Sequence, residues 1–188
     1  TNLISENRPK GGFFACPPRV GYDLGMKIKI LITGGTIDDL EYDSLDKAPK
    51  NHQSLIPELL KLARLKVEYD FEILKQKDSR FITENDRELI FQKCRDAETD
   101  RIVITHGTLT MPDTARYLGQ KKLDKTVVLL GSAIPANKDK SDALFNLGAA
   151  IIAVQLLPHG VYIAMNGKVF NWDNVRKHKG YFEEEKKI

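Results

Sequence analysis

The residues of this chain best suited to chemistry lie in two short, widely separated runs, Thr33-Gly34-Gly35-Thr36-Ile37 and Thr105-His106-Gly107-Thr108-Leu109-Thr110-Met111. Each sets hydroxyls beside glycine. A threonine hydroxyl becomes a useful nucleophile only with a base or positioned donors nearby, and glycine lets backbone amides approach a bound carbonyl closely. Thr36 and Thr108 are therefore candidates to flank one carbonyl, with Gly34, Gly35 and Gly107 supplying the room. The bland alternative for the first run is a tight turn or a phosphate loop. It lacks both the G-x-G-x-x-G spacing and a following Gly-Lys-Ser/Thr, which argues against a nucleotide. His106 suits a hydrogen-bonded turn residue better than a base.

Both runs follow apolar, β-branched stretches, Lys27 to Ile32 and Arg101 to Thr105, which predict buried strands. A third run, Gly131-Ser132-Ala133-Ile134-Pro135, follows the apolar Thr126 to Leu130 in the same way. Helical patterns separate the strands. Ser54 to Leu65 carries Pro57 in its first turn, and Thr83 caps a segment reaching about Ala97 with Leu89, Ile90 and Phe91 as its apolar stripe. Thr110 caps the helix that begins at Met111, with Asp113 in its first turn, and Ser141 caps a segment through Ala149 to about Leu156. Val67 to Leu74 alternates as a strand with Val67, Tyr69, Phe71 and Ile73 on one side. Gly160 to Met165 is a strand joined through Asn166-Gly167, a two-residue hairpin signal, to Lys168 to Phe170. Alternation of this kind predicts an α/β fold with three layers, a doubly wound, mostly parallel Rossmann- or flavodoxin-like sheet. In such a sheet the carboxyl ends of neighbouring strands share one crevice, so the three runs are expected to meet there. Asp38 to Gln53 is a polar loop long enough to be functional.

Composition narrows the partners. The 188 residues are 41% hydrophobic and 29% charged with a formal net charge of +3, values suited to a soluble domain with a sizeable core. The lysines are interleaved with acidic residues, which argues against nucleic acid, and no apolar run reaches the roughly 20 residues of a membrane span. Cys16 and Cys94 make no CxxC pattern, so a reducing cytoplasm is the expectation. The four histidines show no ligand spacing, so neither a metal nor a cofactor is expected. Residues 1–25, rich in Gly and Pro and without periodicity, are read as a loosely ordered extension, residues 26–180 as the domain, and the polar stretch from Trp172, above all residues 181–188, as a frayed tail. The helix from Leu144 to Leu157 is apolar in almost every register, which predicts a homo-oligomer unless that helix is simply buried.

The runs Ile32-Thr33-Gly34-Gly35-Thr36-Ile37 and His106-Gly107-Thr108-x-Thr110-Met111-x-x-Thr114-Ala115 resemble the two signature motifs of bacterial-type L-asparaginases. Gly131-x-x-x-Pro135 followed by Ser141-Asp142-Ala143-Leu144-Phe145-Asn146-Leu147 looks like the stretch that comes after them. The likeness runs from Met26 to about Lys177 and covers only the family's larger amino-terminal domain, as in its short, single-domain forms. It implies that Thr36 attacks a side-chain amide carbon, that Tyr42 in the following loop polarises that hydroxyl, that Thr108 is the second essential threonine and that Lys177 is the catalytic lysine. It further implies that Ser79, with Gly35, Asp78, Gly107 and the residue at position 109, lines the substrate site, Ser79 holding the substrate's α-carboxylate. Spacing alone gives Lys177 no such role, since it sits in the basic run Arg176-Lys177-His178-Lys179.

One position departs from the family. Its second motif reads HGTDTM, with an aspartate that binds the substrate's α-ammonium and pairs with the lysine; this chain has Leu109, which can do neither. Two functions stay open on this reading. One is an amidohydrolase converting L-asparagine, or another small-molecule amide, through a threonine nucleophile; the other is a catalytically impaired relative that binds an amino-acid-like ligand or a partner chain.

Overall fold

The structure, a computed structural model, describes residues 26–40 and 53–185. Six strands form one sheet: β1 (Lys27–Ile32), β2 (Glu68–Ile73), β3 (Arg101–Thr105), β4 (Thr126–Leu130), β5 (Gly160–Met165) and β6 (Lys168–Asn171). Their order is β2-β1-β3-β4-β5-β6, parallel throughout except for β6, which returns antiparallel to β5. The turn between those two strands places Asn166 at φ 55° and Gly167 at φ 74°, the left-handed pair that a tight hairpin needs.

Alternation along each strand divides the core in two. Ile28, Ile30, Ile32, Val103, Val128 and Leu130 face α1 (Ile56–Ala63) and α4 (Ala143–Leu156). Leu31, Ile102, Ile104, Val127, Leu129 and Ile163 face α2 (Glu84–Asp96) and α3 (Met111–Gln120) on the other side. The three-layer α/β architecture predicted from the strand and helix patterns is thus the one observed. Each fully buried Ile, Leu or Val adds roughly 1.5–3 kcal/mol of apolar transfer free energy.

Local signals behave as their chemistry dictates, with informative departures. Thr83 and Asp86 form a reciprocal capping box at the start of α2. Burial alone would raise the Asp86 carboxyl, but the Lys77 ammonium and the Thr83 donors outweigh it and hold its pKa at about 2. Only Ile90 of the three expected stripe residues is fully buried; the core contact is completed by Cys94, whose thiol burial pushes up to about 12. Asp142, not Ser141, caps α4, yet its carboxylate bonds the amides of Ala133 and Ile134 in the preceding loop. At the sheet edge, Val67, just before β2, and Tyr69 on it pack on the core whereas Phe71 and Ile73 stay exposed.

Residues 186–188 lie outside the described residues, and the stretch 172–185 is ordered where fraying was expected. It forms a second, two-stranded sheet, β7 (Arg176–His178) with β8 (Tyr181–Glu183). Three anchors hold it against α3. Trp172 covers Gly119, where an added Cβ would come within 2.2 Å of the indole; Val175 and Phe182 are buried in the second core; and the Val175 carbonyl accepts from Arg116 at 2.7 Å. Sequence alone reads this segment as polar because its two buried residues are spaced across a turn. Residues 1–25 lie outside the described residues.

Candidate functional site

Strand β1 pairs with β2 on one side and β3 on the other, so the connections that leave their carboxyl ends run in opposite directions and open a crevice between them. Gly34 and Gly35 follow β1 at φ 90° and 96°, and Thr36–Asp38 then forms a short 3-10 helix that leaves Thr36 exposed. The two glycines do more than open space for amides. A Cβ on Gly35 would lie 2.4 Å from the Gly107 Cα, and one on Gly107 would lie 2.6 Å from the Ser79 Cβ. Three strand ends therefore meet backbone to backbone. Thr36 and Thr108 each follow one of the two glycines in contact, which brings together residues that sequence could only juxtapose by motif. The third run joins them: the Ala136 amide donates to the Ile37 carbonyl at 3.1 Å, and a Cβ on Gly131 would meet the His106 carbonyl oxygen at 2.4 Å.

Behind Thr108 the loop is held by a buried network. His106 is fully buried, and desolvation lowers its pKa to about 4, against the opposing hydrogen bond to Gly107. The ring is neutral. Its Nδ1 faces the Gly107 carbonyl at 2.8 Å and must carry the proton, so Nε2 accepts from the Thr114 hydroxyl at 2.9 Å. Thr114 in turn accepts from Arg87 Nε at 3.3 Å. His106 thus orients the loop, as a turn residue would, and both of its nitrogens are engaged away from the crevice.

Lys177 enters from β7, in the segment expected to fray. Its Nζ lies 2.6 Å from Thr108 Oγ1 across 69 residues of sequence. The side chain is half-buried and desolvation lowers its pKa, which brings an amine nearer to the neutral form that can take a proton. Among the described residues no carboxylate lies within ion-pair distance of it. Ser79 is buried, accepts from the Leu109 amide at 3.3 Å, and through its carbonyl accepts from the Thr110 hydroxyl at 2.7 Å. Thr110 therefore bonds across the crevice rather than capping α3. Asp78 receives the backbone amide, Nε and Nη2 of Arg80, so its carboxylate faces a cation of its own. Leu109 is 56% exposed beside Lys177. Tyr42 lies outside the described residues.

Sequence alone does not single out Asp38, two residues beyond Thr36. Its carboxyl is fully buried, and desolvation raises its pKa despite acceptance from the Ser54 hydroxyl at 2.8 Å and the Leu55 amide at 2.9 Å. It ties the 3-10 helix bearing Thr36 to the amino end of α1. Its one sequence signal is an acid directly after the apolar Ile37, at the start of the polar loop, which a loop boundary explains as well. Among the described residues no group of three or more His, Cys, Asp or Glu side chains is placed to hold a metal ion.

These features have counterparts in known proteins. The family described as Asparaginase, N-terminal, matches residues 27–181. L-asparaginase 2 of Escherichia coli is 33% identical over 162 residues, covering 80% of this chain and 46% of that protein. A subunit of the glutamyl-tRNA(Gln) amidotransferase of Aeropyrum pernix is 33% identical over 153 residues, covering 76% of this chain and 35% of that protein. The solved structure of the thermostable L-asparaginase from Thermococcus kodakarensis superposes with a TM-score of 0.72 at 28% identity, covering 85% of this chain and 51% of that one. The chain spans less than half the length of the curated relatives it matches. With its glycine-paired strand ends and the threonine-lysine contact between them, it belongs to the asparaginase amino-terminal-domain family.

Proposed function

We propose that this chain is an asparaginase-type amidohydrolase that cleaves a side-chain carboxamide, L-asparagine giving L-aspartate and ammonia, through an acyl-enzyme on Thr36. The observation that carries the reading is the 2.6 Å contact between Lys177 Nζ and Thr108 Oγ1, next to the touching glycines that bear Thr36 and Thr108. Thr36 is exposed at a glycine-flanked strand end, where a substrate carbonyl can reach it. Its hydroxyl attacks the amide carbon, and ammonia leaves with the proton that Thr36 gives up. Lys177, partly desolvated, takes a proton through Thr108 and returns it, activating the water that releases the acid. Ser79 holds the substrate's α-carboxylate, Asp78 lines the crevice beside it, and Gly35 and Gly107 form its floor; Tyr42 follows Thr36 six residues on in the sequence.

Thr36→Ala tests this directly: ammonia release should fall by roughly three orders of magnitude or more, with the melting temperature unchanged. Undiminished turnover in that variant removes Thr36 from the mechanism. Leu109 supports a second reading, a relative that binds an amino-acid-like ligand without turning it over, because no carboxylate of the described residues lies within ion-pair distance of the lysine.

We place the protein in the cytoplasm, on its cysteine usage, and as a homo-oligomer. The second assignment rests on α4, where Leu144, Phe145, Ile152 and Leu156 form an exposed apolar face continued by Val169 on β6. Light scattering should return at least a dimer; a monomer at working concentration overturns it. Among the described residues no helix is long and apolar enough to cross a membrane.

A further inference from the structure

Beside the threonine-lysine contact, and sharing Lys177 with it, lies a pocket of about 350 Å³. Its walls set the apolar Leu109 and Pro112 against four cations, Arg116, Arg176, Lys177 and Lys179, and one carboxylate, Asp113. The volume lies within the range of sites that hold a small ligand, so there is room for a substituent next to the reacting amide.

The charges around it decide what that substituent can be. A free amino acid carries an ammonium two bonds from its side-chain methylene, close to the reacting carbon, and that ammonium needs an anion. Every carboxylate of the described residues near the crevice is already engaged. Asp113, on the pocket wall, is held by Arg116 at 3.3 Å, and Glu183 by Arg176 at 2.7 Å. Asp78 is held bidentately by Arg80 at 2.9 and 3.0 Å, and Asp38 is buried against Ser54 and Leu55. An ammonium in this pocket would meet Lys177 and Lys179, with Asp113, already paired with Arg116, as the one carboxylate on the wall, and the like charges disfavour it. An amide nitrogen in its place carries no charge, and its acyl group can lie on the exposed Leu109 and on Pro112.

We propose that the site takes side-chain amides whose α-nitrogen is already acylated, such as an N-acyl-asparagine or an asparagine inside or at the end of a peptide, with the acyl group seated on Leu109. This substrate class rests on the amidohydrolase reading of the same site. The reaction balances as N-acyl-asparagine plus water giving N-acyl-aspartate plus ammonia. The bond from the Thr36 oxygen to the amide carbon forms as the carbon–nitrogen bond of the carboxamide breaks. The displaced amine leaves with the Thr36 proton, and water then returns a hydroxyl to the carbon and a proton to Thr36.

The experiment compares ammonia release from N-acetyl-L-asparagine and L-asparagine, and measures by calorimetry the binding of the corresponding products, N-acetyl-L-aspartate and L-aspartate. The acetylated substrate should show a kcat/KM at least tenfold higher, and its product should bind at least tenfold more tightly. Leu109→Asp should reverse both preferences by restoring an anion to the pocket. A wild-type preference for free asparagine overturns the proposal while leaving the amidohydrolase reading intact. Tighter binding of the acetylated product with no ammonia from either substrate upholds the recognition and overturns the hydrolase reading. Neither turnover nor a binding preference overturns both.

Discussion

At the amino ends of β3, β4 and β5 charged side chains stitch one strand to the next, whereas at the carboxyl ends of β1 and β3 Lys177 stands with no carboxylate of the described residues within ion-pair distance. His159, just before β5, bonds Asp124 before β4 at 2.6 Å and Asp100 before β3 at 2.9 Å. Arg101 and the Thr126 hydroxyl add bonds to the carbonyls of Leu157 and Pro158, so the three strand starts are stitched together by side chains. Nearby, Lys29 lies between Asp70 and Glu72, 3.5 Å from each. The opposite end of the same sheet joins its strands by glycine backbone contacts and leaves an exposed threonine and a lysine that no carboxylate of the described residues reaches. The difference is one of use. Paired charges satisfy one another and fix geometry, while exposed hydroxyls and a desolvated amine have chemical capacity left for a ligand.

The largest effects should come from breaking the carboxyl end, and two neighbouring residues separate chemistry from architecture. Thr36→Ala should lose roughly a thousandfold or more in activity and nothing in melting temperature. Gly35→Ala should lose both, because its φ of 96° strains any side chain and the new Cβ would press on Gly107. Equal stability of the two variants in thermal unfolding would mean that the backbone contact between the strand ends is dispensable.

Leu109→Asp sharpens the contrast by giving Lys177 an anion beside it. A charge-assisted hydrogen bond of roughly 1.5–3 kcal/mol corresponds to about ten- to hundredfold, so asparagine hydrolysis should rise by that factor when each enzyme is assayed on its pH plateau. The sign of the pH response follows from Lys177. It acts neutral, and burial lowers its pKa from 10.5, so activity should climb as pH rises through that lowered value. An added carboxylate favours the ammonium and should move the rising limb to higher pH. No gain in activity together with a lower melting temperature would show that Leu109 packs against apolar substrate or protein rather than standing in for an acid.

The smallest effect belongs to the amino end. Hydrogen bonds to the carboxylates of Asp100, then Asp124, raise the His159 pKa above its usual 6.5. The charged imidazole therefore stabilises the fold fully below that pH, and the contribution is lost as pH rises through the elevated value. His159→Ala should lower the melting temperature modestly at about pH 5.5 and hardly at all well above the elevated pKa, with kcat untouched. Because the group is exposed, salt should shrink the difference. A loss that is the same at every pH would assign His159 a packing role instead.

Much of this molecule was legible in its residues. Period-two runs such as Ile28, Ile30 and Ile32 against Leu31 place a strand between two layers, and Asn166-Gly167 dictates a hairpin, because burial and backbone sterics act on neighbours in sequence. Gly34 and Gly35 mark a tight turn of positive φ for the same reason. Tertiary structure alone decided which groups meet. Lys177 reads as one amine in a basic run until β7 and β8, anchored by Trp172, Val175 and Phe182, carry it to Thr108. Asp38 reads as a loop residue until folding buries it, and Thr110 as a helix cap until Ser79 comes within reach. Each of these outcomes depends on desolvation or on contacts across tens of residues, and neither is a property of the local chain.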